Sequence, residues 1–149
     1  MRVRPATASD AGAIVDLYRQ LAGDRSSALP CDIDEAETML ASIASQAGRL
    51  LVVAEMDGKV VGTADMVVID NLTHGGRPWA MVENVVVDQS WRGNQVGIGL
   101  MTALLDEARV RRCYKMQLLS MKHRTAAHAF YRNLGFDDSL AEGFRLYLD

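Results

Sequence analysis

Apolar residues in the first third of the chain recur with the period of a helix. Ile14, Leu17, Tyr18 and Leu21 fall on one face of a segment that Ser9 can cap, with Asp10 at its positive end and Gly23 as its stop. A second stripe, Ala36, Met39, Leu40, Ile43, Ala44 and Ala47, predicts a helix that starts at Asp32 or Asp34, with Gly48 as its C′ residue. Ahead of both, residues 1–7 read as a short strand ending near Pro5.

The period then shortens to that of a sheet. Residues 50–56 and 60–69 read as partner strands around Asp57-Gly58, a pair suited to a two-residue turn that needs positive φ. A polar loop at 71–78 leads into a third long strand at 79–87, where Val85, Val86 and Val87 break the alternation and predict burial on both faces. Helical spacing returns at 96–109 through Gly97, Met101, Leu104, Leu105 and Ala108, with Arg109, Arg111 and Arg112 suited to its negative end. A strand at 115–120, a helix at 125–133 ended by Gly135, and a terminal strand at 144–148 complete the chain. In that last segment Phe144, Leu146 and Leu148 alternate with Arg145 and Tyr147. The order β-α-α-β-β-β-α-β-α-β predicts an α/β fold, a mixed sheet with helices on both faces.

A length of 149 residues fits one domain spanning 1–149, long enough to bury a core without metal or disulfide staples. The net charge of -3 argues against broad nucleic-acid binding, so an anionic ligand must be held by local donors. Cys31 and Cys113 sit in unrelated contexts and read as reduced thiols. Neither they nor His74, His123 and His128 have metal-ligand spacing, so no metal site is expected. There is no signal-like N-terminus and no apolar run long enough for a bilayer, which sets the expectation of a cytoplasmic protein without membrane contact.

The most informative stretch runs from Val85 to Gly99: a strand, a glycine-containing loop, then a helix. Free N–H groups at a helix start bind anions, and Gly93, Gly97 and Gly99 permit close approach, while Arg92 adds a cation. No GK pair is present for a P-loop, and Thr102 stands where a dinucleotide fingerprint needs its third glycine. The loop alone leaves two readings open, pyrophosphate binding or a turn that only starts a helix.

Arg92-Gly93-Asn94-Gln95-Val96-Gly97 resembles the acetyl-CoA motif Q/R-x-x-G-x-G/A of the GNAT N-acetyltransferases. Gln95 replaces the first glycine of that motif, as in some glucosamine-phosphate acetyltransferases. Ala129-Phe130-Tyr131-Arg132-Asn133-Leu134-Gly135-Phe136 is similar to the family's FYxxxGF signature, and the opening Val3-Arg4-Pro5-Ala6-Thr7 with Asp10 looks like its first strand and helix. The resemblance covers nearly the whole chain. Within the family it is nearest in motif to glucosamine-6-phosphate N-acetyltransferase-like and aminoalkylphosphonate acetyltransferase-like members.

That resemblance implies a GNAT fold, with a mostly antiparallel sheet splayed between its fourth and fifth strands, and acetyl-CoA as co-substrate. The N–H groups of Gln95, Val96, Gly97, Ile98 and Gly99 would hold the pyrophosphate, in the loop formed by Arg92, Gly93 and Asn94. The backbone at Val85, Val86 and Val87 would pair with the pantetheine arm and polarise the thioester carbonyl. Tyr131 would protonate the leaving thiolate, and Glu83 would take a proton from the amine, directly or through water. The residues alone also allow Tyr131 as a core aromatic and Glu83 as a solvated carboxylate. Asn84 stands where the glucosamine-6-phosphate enzymes typically carry Asp; an amide cannot act as a base but can orient a substrate hydroxyl or amine. Lys122, His123 and Arg124 are either anion ligands or a solvated loop. Cys113-Tyr114-Lys115 reads as structural. Trp79, Met81 and Met66 are either pocket lining or core.

The function expected is transfer of acetyl from acetyl-CoA to the primary amine of a small molecule, an amino-sugar phosphate or aminoalkylphosphonate, by direct attack in a ternary complex. The alternatives are a non-catalytic acyl-CoA-binding module and a protein lysine or N-terminal acetyltransferase. A homodimer through terminal strands is a further expectation, with the 144–148 strand as its edge.

Overall fold

The computed structural model of the chain describes residues 1–148. Five strands form one sheet in the order β1-β2-β3-β4-β5: β1 Arg2–Pro5, β2 Arg49–Met56, β3 Lys59–Ile69, β4 Trp79–Val87 and β5 Met116–Leu118. The first four are antiparallel, and β5 joins β4 in parallel over Ala80–Val82 alone. Between β2 and β3, Asp57 and Gly58 both take positive φ (49° and 74°), the turn expected from the pair.

Helices cover both faces, as the element order predicted. α1 (Ala11–Ala22) and α2 (Ile33–Ala44) bury Ile14, Val15, Ala36 and Leu40 against Leu51 and Val53. α3 (Val96–Val110) buries Leu100, Met101 and Leu104 against Val52, Ala64, Met66 and Val82. Each fully buried side chain of that size contributes about 2 kcal/mol from its removal from water. Gly62 lets α3 come this close: a Cβ there would lie 3.0 Å from Val96 and 3.1 Å from Leu100. α4 (Thr125–Asn133) presents Phe130 and Tyr131 to the same core.

Two local expectations differ. The first helix is preceded by a 3-10 turn at Ala8–Asp10, and Thr7, not Ser9, is its cap: the Thr7 N–H donates to Asp10 Oδ2 at 2.8 Å. Asp10 also receives both Nη groups of Arg4, at 2.8 and 2.9 Å, so it ties β1 to α1. Gly48 is not a helix C′ residue, because α2 ends at Ala44; its carbonyl instead accepts the Val68 N–H at the entry to β2. Asp32 is confirmed as the α2 cap, accepting the Glu35 N–H at 2.9 Å.

The terminal strand at 144–148 does not form. Phe144, Leu146 and Leu148 are 89%, 82% and 94% exposed, and the segment has no ladder partner among the described residues. The alternation there is real in the sequence, but alternation alone does not supply the neighbouring edge a strand needs.

Candidate active site

The site is built where β4 and β5 part. Their pairing stops at Val82 and Leu118, so the β4 backbone from Glu83 to Val87 has no strand partner on its β5 side. On the other side β4 carries a bulge: Glu83 pairs with Asp65 and Val86 with Thr63, leaving Asn84 and Val85 opposite Ala64 alone. Asn84 absorbs the extra residue with φ 53°, a left-handed conformation that Asn tolerates better than most side chains. The bulge explains the unalternating Val85, Val86 and Val87. The Val86 side chain is in the core, and this segment offers ligands its backbone.

β4 then runs through a 3-10 turn at Gln89–Trp91 into α3. Asp88 caps that turn by accepting the Ser90 N–H at 2.9 Å. Gln95 is the N-cap of α3, in the left-handed region at φ 61°, where the family motif has glycine. Gly99 is the first N–H to reach an acceptor within the helix, the Gln95 carbonyl at 3.0 Å, which leaves the N–H groups of Val96, Gly97 and Ile98 without an intrahelical acceptor. Gly93, Asn94 and Gln95 are exposed beside them, as is the Arg92 side chain, which has no carboxylate partner among the described residues. Several free donors, a helix positive end and a cation thus meet at one place, as diphosphate binding requires. Gly97 keeps the helix start against its neighbours: a Cβ would sit 3.2 Å from the Phe130 ring.

A crevice of about 150 Å³ lies at the splayed end of the sheet, lined by Glu83, Asn84, Val85, Ser120, Arg124 and Tyr131, with Arg25 and Arg145 also at its wall. Burial raises the pKa of Tyr131, opposed by Arg124 and reinforced by Glu83, so the phenol holds its proton at neutral pH. Its ring is fixed edge-on between Phe130 and Phe136, at 5.2 and 5.9 Å between centroids. The Glu83 side chain is open to water yet crowded: burial raises its pKa, Arg145 lowers it, and Asp65 raises it.

Sequence reasoning brought Glu83, Asn84, Val85 and Tyr131 to this crevice, and Arg124 from the Lys122-His123-Arg124 run. Lys122 and His123 are exposed and do not line it. Met66 is wholly buried in the core, and Trp79 lies under the Lys115 ammonium, 5.0 Å from the ring centroid, so neither lines the crevice. Cys113-Tyr114-Lys115 is structural: the Tyr114 N–H donates to Pro78 and the Lys115 carbonyl accepts from Ala80, fixing β5 to β4. Arg25, Ser120 and Arg145 were missed. They come from three separate segments, and no local pattern marks them.

No group of three or more potential metal ligands forms among the described residues. No helix among them is long and apolar enough to cross a membrane.

Comparisons with known proteins bear on the family and the fold. Over 102 residues the chain is 35% identical to the glucosamine 6-phosphate N-acetyltransferase of Trypanosoma brucei brucei, covering 65% of this chain and 67% of that protein. A solved protein of Agrobacterium tumefaciens str. C58 superposes with a TM-score of 0.89 at 32% identity, covering 99% of both chains. An acetyltransferase of Trypanosoma brucei gives 0.78 at 30% identity, covering 99% of this chain and 98% of the other. The profile of the acetyltransferase (GNAT) family matches residues 14–136. The chain belongs to the GNAT acetyltransferase family and is an acetyl-CoA-dependent N-acetyltransferase.

Proposed function

We propose that residues 1–149 form one catalytic domain that acetylates the primary amine of a small anionic molecule, of the amino-sugar phosphate or aminoalkylphosphonate type. The observation that carries this reading is the meeting of Glu83 and Tyr131 in one crevice with Arg25 and Arg124. No carboxylate pairs with either arginine among the described residues, and a phosphate or phosphonate is the natural partner of such guanidinium groups. The relationship to a glucosamine 6-phosphate N-acetyltransferase supports the amino-sugar phosphate in particular.

The chemistry follows from the side chains. The coenzyme's diphosphate binds the free N–H groups of Val96, Gly97 and Ile98 with Arg92, and its pantetheine arm lies along the unpaired β4 edge. Glu83 removes a proton from the substrate ammonium, directly or through a water. The amine nitrogen attacks the thioester carbon in a ternary complex, the C–N bond forms and the C–S bond breaks. Tyr131 gives its proton to the departing sulfur. A backbone N–H of the Val85 to Val87 segment polarises the carbonyl oxygen as it gains charge. Asn84 orients an acceptor hydroxyl. A charged nucleotide thioester as donor goes with a cytoplasmic location, and the two unpaired cysteines agree with a reducing compartment.

The test is release of free coenzyme A thiol with a panel of amines: glucosamine 6-phosphate, 2-aminoethylphosphonate, glucosamine, and lysine-bearing or free-N-terminal peptides. Turnover concentrated on the phosphorylated or phosphonylated amines is expected. Turnover of the peptides without the small anions contradicts the reading.

A further inference from the structure

Glu83 has a buried carboxylate directly across the sheet from it. Asp65 of β3 is its register partner, in the last regular pair before the bulge at Asn84. Residues directly opposite in an antiparallel pair share a face, with Cβ atoms about 4.5–5.5 Å apart. Asp65 is 3% exposed, and Arg49 grips both of its oxygens, Nε to Oδ1 at 3.1 Å and Nη2 to Oδ2 at 2.5 Å. Arg49 is the partner of Val67, two positions along β3 from Asp65, so the guanidinium reaches along the same face of the sheet. The Tyr18 phenol of α1 borders the pair. Burial and the Asp65 charge push its pKa up against the pull of Arg49, so it stays neutral.

The other charged and titratable groups around Glu83, among the described residues, are Arg25 after α1, Arg124 before α4, Tyr131 on α4 and Arg145 in the tail. Guanidinium groups suit an anionic acceptor, but they also favour the charged, less basic form of a neighbouring carboxylate. A base set among three cations is a weak one. Asp65 carries the opposite sign, and its charge adds to burial against the pull of Arg145 on Glu83. Burying a carboxylate without a partner is expensive, and Arg49 makes a charge at this position tolerable. Locked by Arg49 and closed to water, Asp65 does not line the crevice, so it acts on the reaction only through Glu83.

We propose that Asp65 is a positioning residue for acetyl transfer. Its fixed negative charge, locked opposite Glu83 by Arg49, keeps Glu83 basic enough to deprotonate the acceptor ammonium despite the arginines that meet the acceptor's anionic group. The inference rests on Glu83 as the base, the reading given above. Like charges set opposite each other in a sheet cost stability, and here the cost maintains the proton affinity of the group that must take a proton.

The test is kcat/KM against pH with the best amine of the panel. In Asp65→Asn the acidic limb is expected to move to lower pH by about 0.5 unit or more, the shift for unit charges about 5 Å apart even with water-like screening. The plateau should fall several-fold as the base weakens. Asp65→Asn/Arg49→Gln removes both charges and leaves no ion unpaired, so it keeps the test open if the single variant does not fold; its limb should also lie below that of the parent. Arg49→Lys keeps both charges and should keep the parent limb. Acetyl-CoA affinity by calorimetry should match the parent in all three. A limb that persists in Glu83→Gln removes Glu83 as the base, and this proposal with it. A limb that vanishes there but stays in place in the Asp65 variants leaves the base reading standing and overturns the role of Asp65, as does a lowered plateau with the limb unmoved. An Arg49→Lys limb displaced as far as that of Asp65→Asn ties the effect to the shape of the pair and overturns it as well.

Discussion

Gln20 of α1 holds Asp88 at the start of the loop between β4 and α3. Its Nε2 donates to Asp88 Oδ2 at 2.8 Å, while its Oε1 accepts the Gln89 N–H at 3.1 Å. The α1 face and the loop from β4 to α3 are therefore one unit, although 68 positions separate the two residues. Gln20→Ala removes both bonds and is expected to lower stability by about 1 kcal/mol. With the loop less fixed, KM for acetyl-CoA should rise several-fold with kcat nearly unchanged. Steady-state kinetics with the acceptor saturating checks this, and a fall in kcat alone speaks against a positioning role.

Tyr131→Phe keeps the ring between Phe130 and Phe136 and removes only the hydroxyl. The variant should lose about 10²- to 10⁴-fold in kcat, the range for a general acid. Coenzyme A affinity should change little. Weaker binding with intact kcat would assign the phenol to binding.

Glu83 supplies a pH signature. Burial raises its pKa above the ordinary carboxylate range, against the pull of Arg145 and with the push of Asp65. A base acts when deprotonated, so kcat/KM should fall as pH drops through that raised value. Glu83→Gln should lower kcat/KM by about 10²-fold and abolish this acidic limb. An unchanged limb in the variant assigns it to another group.

Gln95 occupies the left-handed region at the α3 cap, which an L side chain adopts at a cost and glycine does not. Gln95→Gly should raise stability by about 0.5–1 kcal/mol, after the extra entropy of the unfolded glycine is offset. Thermal unfolding with coenzyme A absent measures it, and a lower Tm would mean that the Gln95 side chain holds the loop.

Asp10 is buried, and Arg4 holds its carboxyl below the usual carboxylate range, against the effect of burial and with the help of the Thr7 N–H. A depressed folded-state value stabilises above the ordinary carboxylate pKa, and the contribution fades as pH falls through the depressed value. Asp10→Asn should cost about 2 kcal/mol at pH 7, and the gap to the parent should close in acid. A gap that stays constant with pH would show that shape, not charge, is what Asp10 contributes.

Much of this was legible in the sequence because the signals were local. Asp57-Gly58 dictated its turn, Asp32 its cap, and the stripe from Ile14 to Leu21 its buried face. The motif from Arg92 to Gly97 likewise marks a loop whose donors are its own backbone. What escaped depends on distant partners. The alternation at 144–148 carries no information on whether an edge lies within reach, and among the described residues the segment pairs with none. The bulge at Asn84 was hidden because it arises from register with Thr63 and Asp65, residues some twenty positions upstream. Arg25 and Arg145 line the crevice with Glu83 from segments far apart in the chain, and neither stands in a pattern of its own.

The account rests on main-chain donors at the start of α3 gripping the coenzyme's diphosphate. Titration calorimetry of the purified chain with acetyl-CoA and with S-acetylpantetheine, which has the thioester arm but no diphosphate, addresses that directly. Acetyl-CoA should bind at least about 100-fold tighter, which corresponds to about 2.7 kcal/mol. Equal affinity for the two, or no heat of association with acetyl-CoA by folded protein, contradicts it.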